Sequence, residues 1–458
     1  MSEKSSRERL ESRLGFILIS AGCAIGIGNV WKFPYLAGQN GGGIFVLIYL
    51  FFLAILGIPV MTMEFSMGRA SRKSPVHLYQ KIEPEKSKWH LHGIVCMAGN
   101  YLLMMFYTTV AGWMIKYFVS MAGGDFEGLD KDRVAGVFGR MLGSPAIQVG
   151  YMAVVVIVGF FINSIGLQKG LEKVSKWMMS SLLIIMVILA VNSILMPGSR
   201  EGLSFYLLPD IGKVSEIGWS KVIVSAMNQA FFTLSIGIGA MAIFGSYIGN
   251  ERRLMGESVH VAVLDTFVAI VSGLIIFPAC FTYGVQPDSG PSLIFITLPN
   301  IFNNMPLGRI WGSLFFVFMG FAAFSTVLAV FENILACTMD LTGWSRKKAS
   351  IVNCIALLIL SLPCALGFNV LSFIEPMGKG TSFLDLEDFL VSNLILPIGS
   401  FIFVLFCISK RGWGWNNFIT EANKGKGIQV KPWMRAYMTY VLPVIVMAFI
   451  LLGLFYKG

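Results

Sequence analysis

Charged residues are scarce in this chain. Only 13% of its 458 residues are Asp, Glu, Lys or Arg, whereas 55% are hydrophobic and the mean hydropathy is +0.73. Water-soluble domains carry about 25% charged residues, so the composition excludes a soluble domain of this size. The net charge of +10 does not indicate a nucleic-acid partner, because the basic residues lie in the connections between apolar segments. The lipid bilayer is therefore the expected surrounding.

Histidines and the sequence motifs of enzymes are also scarce. The chain has 4 His, and no GxSxG or Walker A motif is present. The 7 Cys fall in or beside apolar segments without a CxxC pair, so neither a disulfide framework nor a zinc site is expected. These absences argue against an enzyme and against direct coupling to ATP.

Long apolar segments fill most of the sequence. Each is close to the roughly 20 residues that cross about 30 Å of hydrocarbon as a helix, so we predict an all-α polytopic membrane protein with about 11 spans. The predicted spans are 14–37, 44–70, 93–121, 147–165, 172–196, 219–249, 259–284, 308–340, 349–369, 386–409 and 434–456. The first is too long for a signal-peptide core and has no clear cleavage site, so we expect it to be retained.

Basic residues cluster in alternate connections. Because Lys and Arg concentrate on the cytoplasmic side of membrane proteins, the pattern predicts a cytoplasmic N-terminus and, with an odd number of spans, an external C-terminus. The basic residues assigned to the cytoplasm are Arg69, Arg72, Lys73, Lys81, Lys86, Lys88, Lys169, Lys173, Lys176, Arg346, Lys347, Lys348, Lys410, Arg411, Lys424, Lys426 and Lys431. The chain also has no N-x-Ser/Thr acceptor, which is compatible with a prokaryotic source and a bacterial inner membrane.

A short glycine motif occurs twice. Residues 24–29 read AIGIGN in the first span, and residues 235–240 read SIGIGA in the sixth. Two glycines in alternation cost a helix about 1 kcal/mol each and permit it to unwind. The offset of five spans predicts two repeats of opposite orientation, 14–196 and 219–409, with an additional helix at 434–456, all in one domain over 1–458. The alternative is that the glycines only allow close helix packing.

Four carboxylates lie inside the predicted spans. Charged groups there are costly and commonly functional. Glu64 lies in the second span, Asp265 in the seventh, and Glu332 and Asp340 in the eighth. Asp265 stands in a long apolar stretch, which favours a cation or proton partner. For Asp340, a solvated helix end is an equally good interpretation.

Several motifs together resemble one known family, the neurotransmitter:sodium symporters. They are RLGF at 13–16, AIGIGNVWKFP at 24–34, NGGG at 40–43, GIP at 57–59, Glu64 with GR at 68–69, NQAFFTLS at 228–235, ITLP at 296–299, and segments 322–326 and 385–388. The resemblance implies the 5+5 inverted-repeat, leucine-transporter-like fold, with helices 1 and 6 unwound in mid-membrane. It also implies sodium-coupled symport of an amino acid by alternating access. Eleven spans resemble the bacterial members.

The resemblance implies two sodium sites. One would use the carbonyls of Gly22, Ile25 and Ala322 and the hydroxyls of Ser325 and Thr326. Five uncharged oxygens suit a weakly bound monovalent cation.

The second implied sodium site contains a charged residue. It would use the carbonyl of Ala24, the side chains of Asn29, Thr233 and Asp265, and an oxygen of the substrate carboxylate. That shared oxygen would couple sodium binding to substrate binding. Chloride-dependent relatives hold an anion near this position, where Asp265 supplies a fixed negative charge, so we predict that chloride is not required.

The implied substrate is a small hydrophobic or aromatic amino acid held between the two broken helices. Its carboxylate would lie near Tyr107 and the half-helix that follows Gly26. The residues implied to line its site are Cys23, Ala24, Gly26, Gly28, Leu103, Tyr107, Phe232, Thr233, Ser235, Ile238, Thr326 and Val330.

The same correspondence implies gates on both sides. The outer gate would pair Lys32 with Asp388, and the inner gate would pair Arg7 with Asp340. We also hypothesise that Glu64 and Glu332 share a proton. The alternative is that each carboxylate separately caps free backbone amides.

Two other classes of function remain open from the sequence. A sodium-sensing receptor or a channel-like protein could use the same scaffold, whereas an intramembrane enzyme has almost no support. The sequence does not fix the oligomeric state.

Overall fold

The computed structural model describes residues 8–284 and 292–455, and its regular structure there is helical throughout. Two isolated bridges, Gly42 to Pro209 and Arg252 to Lys426, are the only strand-like pairings in these ranges. The predicted all-α class is therefore confirmed.

Nineteen helices follow one another along the described chain. Helices α1 to α19 cover, in order, Arg13–Ala24, Gly28–Gln39, Gly43–Ser71, Pro75–Ile82, Leu91–Gly123, Lys131–Gly143, Pro145–Ser164, Leu167–Ile194, Ser199–Leu207, Ile211–Ile217, Trp219–Thr233, Ala240–Tyr247, Leu254–Thr282, 293–304, Gly308–Thr342, Arg346–Leu366, Phe383–Ile408, Trp415–Ala422 and 434–455.

Nine of the helices in the described ranges are long and apolar enough to cross a membrane, and the bent pair α1 and α2 makes up to 10. They are α3, α5, α7, α8, α13, α15, α16, α17 and α19. The predicted sixth span, 219–249, consists of the two shorter helices α11 and α12. Ten predicted spans thus coincide with long or bent helices, and the remaining one is the second broken helix.

The first break lies where the glycine motif predicts it. Helix α1 ends at Ala24, Ile25 is extended, and α2 begins at Gly28 with its axis bent by 57°. A Cβ on Gly26 would lie 2.6 Å from the Tyr107 hydroxyl oxygen, and one on Gly28 would lie 2.6 Å from the Phe232 ring. Both positions therefore need glycine because neighbouring side chains occupy the space.

The second break has a different cause, namely left-handed backbone. Ser235, Gly237 and Gly239 have φ values of 50°, 103° and 73°, which only glycine adopts readily. A Cβ on Gly237 would also lie 2.1 Å from the Leu396 carbonyl oxygen. The chain between α11 and α12 therefore leaves helical geometry and approaches α17 closely.

Five prolines within the helices follow a π-helical turn, whereas Pro278 of α13 and Pro363 of α16 do not. A proline lacks the amide hydrogen and displaces the carbonyl four residues earlier, and a wider turn accommodates both effects. Five such turns precede a proline by two residues, at Pro34, Pro59, Pro299, Pro397 and Pro443. The helices therefore continue past these prolines.

Helices α5 and α15 form the centre of the packing around the two breaks. They contact each other extensively, and α15 also contacts α1 and α12. Unwound backbone inside a membrane protein is tolerated where protein or a polar cavity surrounds it. The two breaks meet this condition between α5, α13, α15 and α17.

Candidate functional site

A cavity lies between the two broken helices. Its lining residues are Cys23, Ala24, Gly26, Gly28, Asn29, Leu103, Tyr107, Phe232, Thr233, Ser235, Ile238, Thr326 and Leu396. Of the 12 residues predicted to contact substrate, 11 are in this lining. Val330 is buried within α15 and does not line the cavity, whereas Leu396 of α17 does.

Five uncharged oxygens converge beside the break in the first span. The Ser325 hydroxyl lies 3.1, 3.4 and 2.9 Å from the carbonyl oxygens of Gly22, Ile25 and Ala322. The Thr326 hydroxyl lies 3.2, 3.3 and 3.5 Å from the same three oxygens. Because all five belong to buried groups without formal charge, the cluster suits a weakly bound hard cation.

A second cluster is built around Asp265 of α13. The Asn29 amide nitrogen donates to Asp265 Oδ1 at 2.8 Å, and the Thr233 hydroxyl donates to Asp265 Oδ2 at 3.0 Å. Tyr49 also donates to Oδ2, at 3.4 Å. Asp265 is fully buried, so its charged form needs these donors or a cation. The first broken helix, the second broken helix and α13 meet at this carboxylate.

The orientation of the Asn29 amide has a chemical consequence. Its oxygen accepts a hydrogen bond from Gly26 N at 3.1 Å, and its nitrogen faces Asp265. The two ends of an amide are assigned from the hydrogen-bond network. A cation next to Asp265 would be coordinated by the amide oxygen only if the Asn29 amide group turned and released Gly26 N.

Tyr107 marks the end of the cavity nearest the start of α2. Its hydroxyl oxygen accepts a hydrogen bond from Ile27 N at 3.1 Å, which fixes the ring beside Gly26. Free backbone amides and the helix dipole favour an anionic group at the start of a helix. This end of the cavity is therefore suited to a carboxylate.

Ser235 connects the two breaks directly. Its hydroxyl donates to the Cys23 carbonyl oxygen at 3.2 Å, across 212 residues of sequence. The Ser235 backbone is left-handed, a conformation that is uncommon outside glycine. The backbone around Ser235 therefore presents polar groups to the cavity instead of continuing the helix.

Phe232 closes one side of the cavity. Its ring lies against Gly28, and the Lys32 ammonium nitrogen lies 4.1 Å from the ring centroid. Asp388, the predicted partner of Lys32, accepts a hydrogen bond from Ser392 at 2.7 Å. Lys32 and Asp388 form no ion pair within the described ranges. The structure therefore replaces the predicted pair by a cation–π contact.

Glu64 and Glu332 are not brought together. Glu64 Oε1 accepts from Gly237 N at 2.5 Å, at the second break. Glu332 Oε2 accepts from the Arg346 guanidinium at 2.7 Å, and its Oε1 accepts from Arg346 at 3.1 Å and from Tyr247 at 2.7 Å. The shared-proton hypothesis is wrong for this geometry, because the guanidinium compensates Glu332. Glu64 caps a free backbone amide, as in the alternative.

Asp340 lies near the end of α15 and contacts the start of α4. Its Oδ2 accepts hydrogen bonds from the Ser74 amide at 2.8 Å and the Ser74 hydroxyl at 2.6 Å, and Lys73 Nζ lies 4.0 Å from its Oδ1. Its predicted gate partner, Arg7, lies outside the described residues. The Asp340 carboxylate therefore caps the start of α4, and its gating role stays a prediction.

Arg346 is the partner of a buried carboxylate, which the sequence pattern did not indicate. It lies 14 residues after Glu332, at the start of the next helix, and was counted only as a residue that sets orientation. Glu8 of the N-terminal segment also contacts Arg346 at 3.1 Å. A buried glutamate followed within one helical hairpin by an arginine is the signal that could have suggested the pair.

Comparisons with known proteins identify the family. The model of the sodium:neurotransmitter symporter family matches residues 7–125 and 141–457. The chain belongs to the sodium:neurotransmitter symporter family. An uncharacterized sodium-dependent transporter of Bacillus subtilis, YhdH, is 35% identical over 399 residues, covering 86% of each chain. An uncharacterized sodium-dependent transporter of Haemophilus influenzae is 28% identical over 470 residues, covering 99% of this chain and 100% of its own.

A solved structure is similar over nearly the whole chain. The crystal structure of MhsT in complex with L-phenylalanine matches with a TM-score of 0.87 and 35% identity, covering 98% of this chain and 100% of that one. The chain therefore has the fold of this family, with helices broken at the first and sixth spans. It is a sodium-dependent transporter of the membrane, and the resemblance seen in the sequence motifs is confirmed.

Proposed function

We propose that this chain carries a small hydrophobic or aromatic amino acid across the bacterial inner membrane, together with sodium and without chloride. Alternating access between the two sides of the membrane moves the substrate, with no covalent chemistry. The observation that carries the proposal is the convergence of Asn29, Thr233 and Asp265 next to a cavity between two broken helices. The similarity to MhsT, which was crystallised with L-phenylalanine, supports an amino acid as the cargo.

The substrate carboxylate would bind beside Tyr107 and the backbone at the start of α2. Gly26 supports this assignment, because any side chain there would fill the space next to the Tyr107 hydroxyl. The carboxylate would also contribute an oxygen to a sodium ion held by Asp265, Thr233, Asn29 and the Ala24 carbonyl. Each ligand would then bind more tightly when the other is present.

The substrate side chain would lie against apolar groups. The apolar lining consists of Leu103, Phe232, Ile238 and Leu396. Leu396 is in this lining, whereas Val330, which was expected there, is not. No charged side chain is among the residues that line this cavity, which favours hydrophobic and aromatic amino acids over charged ones.

Two sodium ions would be carried, one at each oxygen cluster. The neutral cluster of Ser325, Thr326 and three carbonyl oxygens would hold the second ion between α1 and α15. An ion there would fix the first broken helix against α15 and so influence opening. In the other cluster, the carboxylate of Asp265 would balance the first ion, which removes the need for an anion.

The membrane arrangement completes the proposal. The N-terminus would be cytoplasmic and the C-terminus external, with repeats at 14–196 and 219–409 related by inverted topology and an additional helix at 434–456. On the cytoplasmic side, Arg7 would pair with Asp340 when the carrier faces outward.

Uptake by purified protein in liposomes tests this function. We expect an imposed sodium gradient to drive accumulation of phenylalanine, leucine or a similar amino acid, and replacement of sodium by potassium to abolish it. A charged amino acid such as lysine serves as the control substrate. Binding of an amino acid without accumulation would instead favour the sodium-sensing receptor.

A further inference from the structure

Helix α8 carries a basic surface on the side of the membrane where the N-terminal segment lies. Lys169 and Lys173 are exposed, and neither has a carboxylate within 4 Å in the described part of the chain. Lys176 follows these two lysines in the helix, just before its apolar part. The Lys176 ammonium nitrogen lies 2.7 Å from Glu172 Oε1. Together with Gln168 and Ser180, these lysines line an open cleft.

The acidic groups in this cleft leave the two exposed lysines uncompensated. Glu172 is buried, and its oxygens accept hydrogen bonds from the backbone of Glu11 and Ser12 in addition to Lys176. Glu11 is exposed at the edge of the cleft. The cleft therefore offers ammonium groups to an anion at the surface of the membrane.

An apolar groove of about 440 Å³ begins where the basic cleft ends. Trp177 lines both the cleft and the groove. From there the groove continues along α15 past Phe324, Gly320 and Phe316. Residues 316–324 of α15 cover about 12 Å at 1.5 Å per residue, close to the roughly 15 Å that one leaflet of the hydrocarbon core spans. All the residues that line the groove are apolar.

The position of Trp177 indicates the boundary between headgroup and hydrocarbon. Tryptophan is enriched at this level of the bilayer because its ring is apolar and its N–H is polar. Trp177 is 63% exposed, and its ring packs edge-on against Phe321 with centroids 5.4 Å apart. The lysines are thus at the headgroup level and the groove is at the acyl-chain level.

We propose that this surface binds one anionic phospholipid, with its phosphate among Lys169, Lys173 and Lys176 and one acyl chain in the groove beside Gly320. The lipid belongs to the leaflet on the side of the N-terminal segment, which is the cytoplasmic leaflet in the proposed orientation. Basic side chains next to a span attract anionic headgroups, and the groove supplies the apolar surface for the chain.

The site also adjoins the contacts that hold the N-terminal segment. A phosphate bound by Lys176 competes with Glu172 for that ammonium group, and Glu172 in turn holds Glu11 and Ser12. The bound lipid therefore acts on the segment that leads into α1. This effect does not depend on which amino acid is transported.

Quenching of Trp177 fluorescence by brominated acyl chains tests the proposal in mixed micelles. The signal of Trp177 is the difference between the protein and its Trp177→Phe variant. We expect brominated phosphatidylglycerol to quench Trp177 at a much lower mole fraction than brominated phosphatidylcholine. In the double variant K169Q/K173Q this preference falls about 30-fold (about 2 kcal/mol), since each lysine contributes about 1 kcal/mol near a membrane surface.

Two further variants separate the site from general attraction to charge. The double variant K81Q/K88Q removes two exposed lysines elsewhere on the same side and should leave the preference unchanged. A Cβ on Gly320 would have no described atom of a neighbouring element within 4 Å, so Gly320→Leu places its side chain in the groove and should reduce quenching by both lipids. Three results would each overturn the proposal. They are equal quenching by the two lipids, a loss of the phosphatidylglycerol preference in K81Q/K88Q as large as in K169Q/K173Q, and unchanged quenching in Gly320→Leu.

Discussion

The amide nitrogen of Asn29 donates a hydrogen bond to the carboxylate of Asp265 at 2.8 Å, although 236 residues separate them in the sequence. This contact joins the broken first span to α13 at the edge of the cavity. Thr233, the last residue of α11, donates to the same carboxylate and brings in the second broken span. A cation at Asp265 would therefore contact the residues of both breaks at once.

Asp265→Asn should change the ion requirement of transport. The amide removes the fixed negative charge that balances the sodium ion, so an anion must replace it or transport fails. We expect uptake by Asp265→Asn liposomes to be abolished or to become dependent on chloride, with at least a severalfold fall when gluconate replaces chloride. The unsubstituted protein should transport equally in the two anions. A severalfold chloride requirement in the unsubstituted protein would contradict the account.

Ser325→Ala should weaken sodium activation of uptake. The substitution removes one of the five oxygens in the neutral cluster, and a lost ligand hydroxyl is worth about 1–3 kcal/mol, or roughly a 5-fold to 150-fold rise in the sodium concentration for half-maximal uptake. Ser272→Ala is the matched control, because among the described residues that buried hydroxyl donates within its own helix, to Val268 O at 2.8 Å. Similar sodium activation in both variants would remove Ser325 from the ion site.

Gly26→Ala should impair amino acid binding through a steric effect. The added methyl group would lie 2.6 Å from the Tyr107 hydroxyl oxygen and 2.9 Å from the Thr326 hydroxyl oxygen. Overpacking costs about 1–3 kcal/mol, so we expect substrate affinity to fall roughly 5-fold to 150-fold in equilibrium binding.

Two further variants identify the cause of that loss. In Gly139→Ala the added methyl group would have no described atom of another element within 4 Å, so binding should be unchanged. Tyr107→Phe removes the hydroxyl oxygen that lies nearest to the added methyl group. Gly26→Ala should therefore lower substrate affinity less in the Tyr107→Phe variant than in the unsubstituted protein. If the double variant loses as much binding free energy as the two single variants together, the steric explanation is contradicted.

Arg346→Ala should destabilise the protein strongly. Glu332 is fully buried, and removing one partner of a buried pair costs about 3–5 kcal/mol because the other charge is left unpaired. Thermal unfolding in detergent measures the loss. Arg346→Ala with Glu332→Gln should be more stable than Arg346→Ala alone, and the exposed control Arg140→Ala should be near neutral. Equal stability of Arg346→Ala and Arg140→Ala would exclude a structural ion pair.

The fold was largely predictable because composition and local motifs determine it. Apolar length identified most spans, and the alternating glycines at Gly26, Gly28, Gly237 and Gly239 identified both breaks. The oxygen clusters around Asp265 and Ser325 came from the family resemblance, since no local pattern brings residues from three distant helices together. In the structure, the residues of each cluster lie within hydrogen-bond distance of one another, as the resemblance implies.

The differences between prediction and structure lie in tertiary contacts. Leu396 lines the cavity because Gly237 and Gly399 bring the backbones of the second break and α17 together, and a Cβ on Gly399 would lie 2.0 Å from the Gly237 carbonyl oxygen. Arg346 compensates Glu332 because the turn between α15 and α16 brings the guanidinium back beside α15. Neither arrangement follows from periodicity or motif spacing.

The most direct test of sodium-coupled transport is the movement of sodium itself. Liposomes containing the purified protein are given radioactive sodium at equal concentration inside and outside, and an inward gradient of phenylalanine or leucine is then imposed. We predict that the amino acid gradient drives net sodium uptake, and that Asp265→Asn reduces this uptake at least severalfold when gluconate is the anion. Binding of both ligands without net sodium movement would contradict the central claim.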